Sequence, residues 1–128
     1  MRCVRAKHTR PEMIVRSLLH RSGFRFRLHR PDLPGKPDIV LPRYRVAVFV
    51  NGCFWHQHPG CSKAKRPGTR REFWESKLDA NVARDQWTQT ELAAKGWRVI
   101  VIWECEIEKD PEWTRSLLSS LKPISTCV

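Results

Sequence analysis

Residues 51–61, Asn-Gly-Cys-Phe-Trp-His-Gln-His-Pro-Gly-Cys, bring two cysteines, two histidines and two large aromatics into eleven positions directly after an apolar run. Thiolates and imidazoles are the donors a zinc-like ion selects. Cys53, His58 and Cys61 fall within nine residues, close enough for one loop to wrap an ion, and Cys105, at the end of a later strand, can supply the fourth corner of a tetrahedron. Four protein donors leave no open position. Such a site is structural: it fixes the loop and does not activate water. His56 competes with His58 for the imidazole corner, and a set of buried free cysteines is the plainer alternative.

A second constellation suits phosphodiester hydrolysis. Asp38 heads a short buried strand, Asn51 ends the next apolar strand, and a hairpin between them brings both to one end of a sheet. A nuclease holds a divalent ion in such a place. His56, if it faces away from the thiols, is a candidate general base, and Asp85 on a later helix can orient its ring. Each also has an ordinary reading: Asp38 beside a proline as an Asx turn, Asp85 as a solvated helix residue. Phe54, Trp55 and Trp74 are either core plugs or a wedge that opens a base step in DNA.

These residues must be carried by regular elements. Thr9-Arg10-Pro11-Glu12 is a capping-box start for a helix, with Ile14, Val15, Leu18 and Leu19 as its apolar stripe and Gly23 after its end near Ser22. Residues 24–28 alternate Phe, Arg, Phe, Arg, Leu, the pattern of a half-buried strand. Strands over 37–41 and 45–50 follow. Thr69-Arg70-Arg71-Glu72 repeats the capping pattern, and the helix it opens runs to Lys95, with a break expected near 79–81. Residues 97–103 form a last strand, and Asp110-Pro111 caps a final helix over 110–121. The order predicts an α/β fold: one domain over 1–128, a mixed sheet flanked by helices.

Composition names the partner. The 128 residues carry 24 Lys and Arg against 13 Asp and Glu, a formal charge of +11 with pI near 10.1. A polyanion is the natural ligand for such a chain. Residues 1–30 hold nine basic side chains against the single acid Glu12, and Lys63, Lys65, Arg66, Arg70 and Arg71 form a second basic lobe beyond the central loop. A nucleic acid is the expected partner. Five cysteines, an odd number, with neither a leader-like segment nor an apolar run of about 20 residues, point to a reducing cytoplasm and no membrane association. Cys3 and Cys127 read as bystanders.

Taken together, Lys36-Pro37-Asp38, residues 48–56 (Val-Phe-Val-Asn-Gly-Cys-Phe-Trp-His), Thr69 to Trp74, Asn81-Val82-Ala83-Arg84-Asp85, Gly96-Trp97-Arg98 and Trp103-Glu104-Cys105 resemble the very short patch repair endonucleases, in order, over roughly residues 7–106. The resemblance implies the fold of type II restriction endonucleases. It implies Mg-dependent nicking of one strand 5′ to the T of a T·G mismatch, the product of 5-methylcytosine deamination. By position, Asp38 and the backbone carbonyl of Val50 would bind magnesium, His56 paired with Asp85 would activate water, and Cys53, His58, Cys61 and Cys105 would hold zinc. Phe54, Trp55 and Trp74 would intercalate. Better-known members carry a histidine where this chain has Asn51, an amide that hydrogen-bonds a phosphate or water but does not shuttle protons near neutral pH. A carboxylate expected near the metal in the first helix aligns with Val15; Glu12, about one turn earlier on the same face, is its candidate replacement. A monomer suits an asymmetric mismatch, and mismatch-repair proteins are implied as further partners in a bacterial cytoplasm, at the nucleoid. The rival readings are a related nuclease with a non-mismatch target and a non-catalytic, zinc-stabilised DNA-binding module.

Overall fold

Thr9 and Pro11 start helix α1 (Arg10–Arg21) in a computed structural model that describes residues 9–121. Cys3 and Cys127 lie outside the described residues. The Thr9 hydroxyl accepts the Glu12 backbone N–H at 3.4 Å, and the helix closes at Ser22, followed by Gly23 at φ +87°. Its buried face is Glu12, Val15, Leu18 and Leu19. Ile14, expected in the stripe, is exposed instead, because a buried carboxylate at Glu12 turns the helix toward the cleft and carries Ile14 outward.

Four strands form one sheet in the order β1 (Arg27–Leu28), β2 (Ile39–Leu41), β3 (Val46–Asn51), β4 (Arg98–Trp103). The first two pairings are antiparallel and the last is parallel. β1 is shorter than the alternating pattern predicts. With Leu28 opposite Ile39 and Arg27 opposite Val40, Phe26 falls opposite Leu41, the last residue of β2, and residues before Phe26 run past its end, where Pro42 begins a 3-10 turn and offers no N–H. Phe24, Phe26 and Leu28 nevertheless keep the face that alternation assigns them and pack on the core. The β2–β3 hairpin closes through Pro42–Tyr44 and Arg45, which sits at φ +54°.

Parallel strands need a long crossover, and α2 (Arg71–Ala94) supplies it. Two expectations for α2 are corrected. The Thr69 capping box does not form, because Arg70 takes a left-handed conformation at φ +50° and becomes the N-cap itself. No break occurs at 79–81 either: Asp79 pairs with Arg66 and the Asn81 amide donates to the Trp55 carbonyl, so side chains that would compete for the helix backbone are engaged elsewhere. After β4 an unexpected helix, α3 (Glu104–Lys109), starts at once, with the Glu106 carboxylate accepting the Trp103 N–H at 3.0 Å. The final helix α4 (Trp113–Ser120) therefore begins later than Asp110.

The sheet is covered on both sides. Ile39, Leu41, Val46, Val48 and Ile102 face Val15, Leu18 and Leu19 of α1 and Leu117 and Leu121 at the C-terminal end. Val40 and Ala47 face the other way, with Leu33, Leu92 and Trp97. The period of two along each strand thus feeds two cores, as an α/β sandwich requires. No helix among the described residues is long and apolar enough to cross a membrane.

The loop between β1 and β2 is closed down on α2 at Gly35, which has φ +73° and would drive a Cβ into the Thr88 side chain. Gly35→Ala is expected to lower stability by about 1–3 kcal/mol through strain and overpacking. Denaturant titration checks this, and part of the loss should be recovered in a Thr88→Ala background, where the clash is relieved but the strained φ remains.

Candidate active site and metal centre

A cleft of about 850 Å³ opens between the sheet and α2, lined by Glu12, His29, Asp38, Asn51, His56 and Asp85 among others. Hairpin pairing sets its floor. Asp38 immediately precedes β2, and its Oδ2 accepts the Val50 N–H of β3 at 2.8 Å. Within a strand the N–H and C=O of one residue point to the same side, so the Val50 carbonyl is also directed toward Asp38. Burial pushes the Asp38 carboxyl up to about 6; the Val50 N–H opposes the rise, and Glu12 adds to it.

Glu12 is almost fully buried at 1% exposure, with its Oε2 2.8 Å from His29 Nε2 and 3.4 Å from Arg16 Nη1. The structure therefore brings Glu12, and not Val15, to the carboxylate site; Val15 is in the core. The donor atoms of Glu12, His29 and Asp38 all lie within 4.8 Å of one another. Oxygen-rich clusters of this kind suit a divalent cation.

His56 faces the cleft, with Nδ1 2.6 Å from Asp85 Oδ2 on α2. An ionised carboxylate only accepts, so Nδ1 carries the proton and Nε2 keeps its lone pair. Its neighbours fix that orientation: the His56 N–H donates to the Gly52 carbonyl, and Asn81 holds the Trp55 carbonyl at 3.1 Å. Asn51 is buried at the end of β3, beside the same cleft.

His58 turns the opposite way. Its Nδ1 is 3.6 Å from Cys53 Sγ and 3.4 Å from Cys105 Sγ, and Cys61 completes a group whose donors lie within 4.8 Å. A tetrahedral zinc ion with bonds of about 2.0–2.3 Å separates nitrogen and sulfur corners by about 3.6 Å, so the four donors fit such an ion. The ring of His58 stacks on Trp103 at 4.2 Å and 10°. Burial pushes the Cys53 thiol up to about 12 and raises that of Cys105, while the Lys63 backbone N–H lowers that of Cys61. Buried thiols of this kind need a cation to become thiolates. The loop is braced from outside the cluster. Gln57, at φ +50°, donates to the Phe54 and Ala64 carbonyls and accepts from Arg66, whose other nitrogen reaches Asp79 at 2.7 Å.

Phe54, Trp55 and Trp74 form one half-exposed aromatic group, with ring centroids 5.1–5.8 Å apart. Phe73 extends it outward at 44% exposure, with Arg70 over its ring at 4.6 Å. Within the second basic lobe, Lys63 pairs with Glu108 at 2.5 Å and Arg66 is spent on the loop brace, whereas Lys65, Arg70 and Arg71 are exposed. Two residues went unread in the sequence. Glu104, beside the cleft, accepts the Cys53 N–H at 3.1 Å, and His29 joins Glu12 and Asp38. Strand register would have placed His29 opposite Asp38, but the Pro- and Gly-rich loop between them hides that register.

Folds of this kind occur in nucleases. The chain superposes on the catalytic domain of the homing endonuclease I-Bth0305I with a TM-score of 0.61 over 88% of this chain and 93% of that one, at 22% identity. That likeness is one of fold. The family model for the DNA mismatch endonuclease Vsr matches residues 1–63. The chain is 58% identical over 107 residues to the type II nicking enzyme V.XorIIP of Xanthomonas oryzae pv. oryzae, covering 84% of this chain and 78% of that one. It is 40% identical over 119 residues to the DNA mismatch endonuclease Vsr of Escherichia coli K12, covering 93% and 76%. It is also 44% identical over 105 residues to V.NmeAIP of Neisseria meningitidis, covering 82% and 74%. The chain belongs to the Vsr family of DNA endonucleases.

Two measurements bear on the site. Because the folded Asp38 carboxyl titrates near 6, above the ordinary 3.8, its stability effect is absent at pH below 4 and develops as pH rises through 4–6, where the unfolded chain ionises first. Without added divalent ions, Asp38→Asn is therefore expected to raise stability at pH 8 by about 1–3 kcal/mol and to change it little at pH 4, as thermal melts at the two pH values would reveal. Cys105→Ser is expected to lower bound metal and thermal stability together; an unchanged metal analysis would remove Cys105 from the centre.

Proposed function

We propose that this chain nicks one strand of duplex DNA on the 5′ side of the T in a T·G mismatch, with Mg2+ at Asp38 and the Val50 carbonyl and a structural zinc ion held by Cys53, His58, Cys61 and Cys105. The observation that carries this reading is the His56–Asp85 pair, 2.6 Å apart, directed into the cleft that holds Asp38 and Glu12. A divalent ion bound there lends positive charge to the phosphate and acidity to a water. His56 Nε2 takes the proton of the attacking water, and Asp85 holds the productive tautomer and stabilises the imidazolium that results. Asn51 donates to a phosphate oxygen, and Glu12 anchors the carboxylate side of the site.

Phe54, Trp55 and Trp74 enter the base stack at the mismatch, at an expense of a few kcal/mol per opened step, which a mispaired step lowers. Lys65 and Arg70 contact phosphates directly, Arg71 does so by giving up its exposed pair with Glu75, and Lys63 and Arg66 reach them only if their pairs with Glu108 and Asp79 exchange. The names of the relatives, nicking enzymes and a mismatch endonuclease, support this direction. The chain is read as acting as a monomer on bacterial cytoplasmic DNA, alongside mismatch-repair proteins.

A labelled duplex with one T·G mismatch in a CTAGG or CTTGG setting, compared with its T·A counterpart, tests the proposal. A single Mg-dependent cut 5′ to the mismatched T is expected, and it should fall by at least about 100-fold in His56→Ala with metal content of the thiol centre retained. Cutting of both duplexes would replace the mismatch target with another one. Loss of the thiol-bound metal in His56→Ala would mean that His56 and His58 had been assigned to each other's roles.

A further inference from the structure

His29 stands beside Glu12 and Asp38, yet the hydrolysis described above gives it no role. It follows β1 directly, and the Leu28–Ile39 register sets it across from Asp38, whose carbonyl accepts the His29 N–H at 3.1 Å. Its backbone is held at φ +47°, a region that side-chain-bearing residues seldom occupy and that often marks a functional position. The turn directs the imidazole into the cleft, where Nε2 lies 2.8 Å from Glu12 Oε2. An octahedral ion with donors at about 2.1 Å separates neighbouring donors by about 3.0 Å and opposite ones by about 4.2 Å. The Glu12–His29 spacing is close to one edge of such an octahedron, and the 4.8 Å span of Glu12, His29 and Asp38 brings all three within a small closure of a common ion.

We propose that His29 Nε2 is a direct ligand of the divalent ion in the cleft, so that an imidazole joins the oxygen donors of Asp38, Glu12 and the Val50 carbonyl and the site holds Mn2+ more tightly than Mg2+. The proposal rests on the reading of Asp38 as a metal ligand. Magnesium prefers oxygen donors and parts reluctantly with its waters, whereas an imidazole nitrogen favours a first-row transition ion. Against the Glu12 carboxylate Nε2 serves as the N–H donor, so loading the ion moves the ring proton to Nδ1 and gives the Nε2 lone pair to the ion. Arg16, also against Glu12, offsets carboxylate charge without competing as a ligand.

The test uses the whole protein with its thiol centre loaded with zinc, titrated with Mn2+. Electron spin-echo envelope modulation of the bound Mn2+ is expected to show one directly coordinated nitrogen. That signal should persist in His56→Ala and vanish in His29→Ala and His29→Gln. Mn2+ affinity should fall at least about tenfold in both His29 variants, while Mg2+ affinity falls less in His29→Gln, whose amide oxygen substitutes as a donor. A wild-type spectrum without nitrogen, or a nitrogen retained in His29→Gln, would overturn the proposal and leave His29 as a hydrogen-bond partner of Glu12 and not a metal ligand. Asp38→Asn separates the underlying reading: Mn2+ binding undiminished in that variant would remove Asp38 from the metal site, whatever His29 does.

Discussion

The parallel pairing of β3 with β4 is the constraint on which the site depends. Its register places Asn51 beside Trp103, so both strands end at the same level and release their chains side by side. The β3 end delivers Gly52 and the Cys53 loop; the β4 end delivers Glu104 and Cys105. Two segments some fifty positions apart in sequence therefore share one centre, and Glu104 ties them again through the Cys53 N–H. Ligands at the carboxyl ends of adjacent parallel strands are a general feature of α/β sheets. Here that end carries both the thiol centre and the cleft, separated by the turn that sends His56 one way and His58 the other.

The carboxylate side is organised against its own stability. Glu12 is buried on a helix face that would otherwise be apolar, and Asp38 is held where burial disfavours its charge. Arg16, His29 and the Val50 N–H offset part of that penalty. A cation would remove much of what remains, which is why such sites bind one. The thiol cluster follows the same logic in softer chemistry, with buried Cys53 and half-buried Cys105 disfavoured as thiolates until an ion draws them together.

How much of this was legible in the sequence depended on the distance over which each signal acts. The Thr9 cap, the β2–β3 hairpin and the Cys53–His58–Cys61 spacing are local, and all three read directly. Cys105 read because a strand end is a natural place for a ligand. His29 did not read, since its relation to Asp38 passes through a loop whose closure depends on Gly35 meeting Thr88 of α2. The unbroken α2 was equally hidden: Asp79 and Asn81 look like helix breakers until Arg66 and Trp55 occupy them. Nothing local marks Trp103 as the plate against which His58 lies flat. The Thr69 cap failed because one left-handed residue, Arg70, shifted the helix start by a single position.

The turn at Trp55 and His56 has a mechanical consequence. The two residues are consecutive, and the Asn81 amide fastens the Trp55 carbonyl to the same helix that carries Asp85. Under the proposed function, the side chain that parts the bases and the side chain that takes the proton are then two marks on one short rigid ruler. The interval between the opened step and the severed bond is set by protein backbone and not by the surrounding nucleotides. Changing the flanking bases would alter how often the ruler is laid down, but not the length it measures.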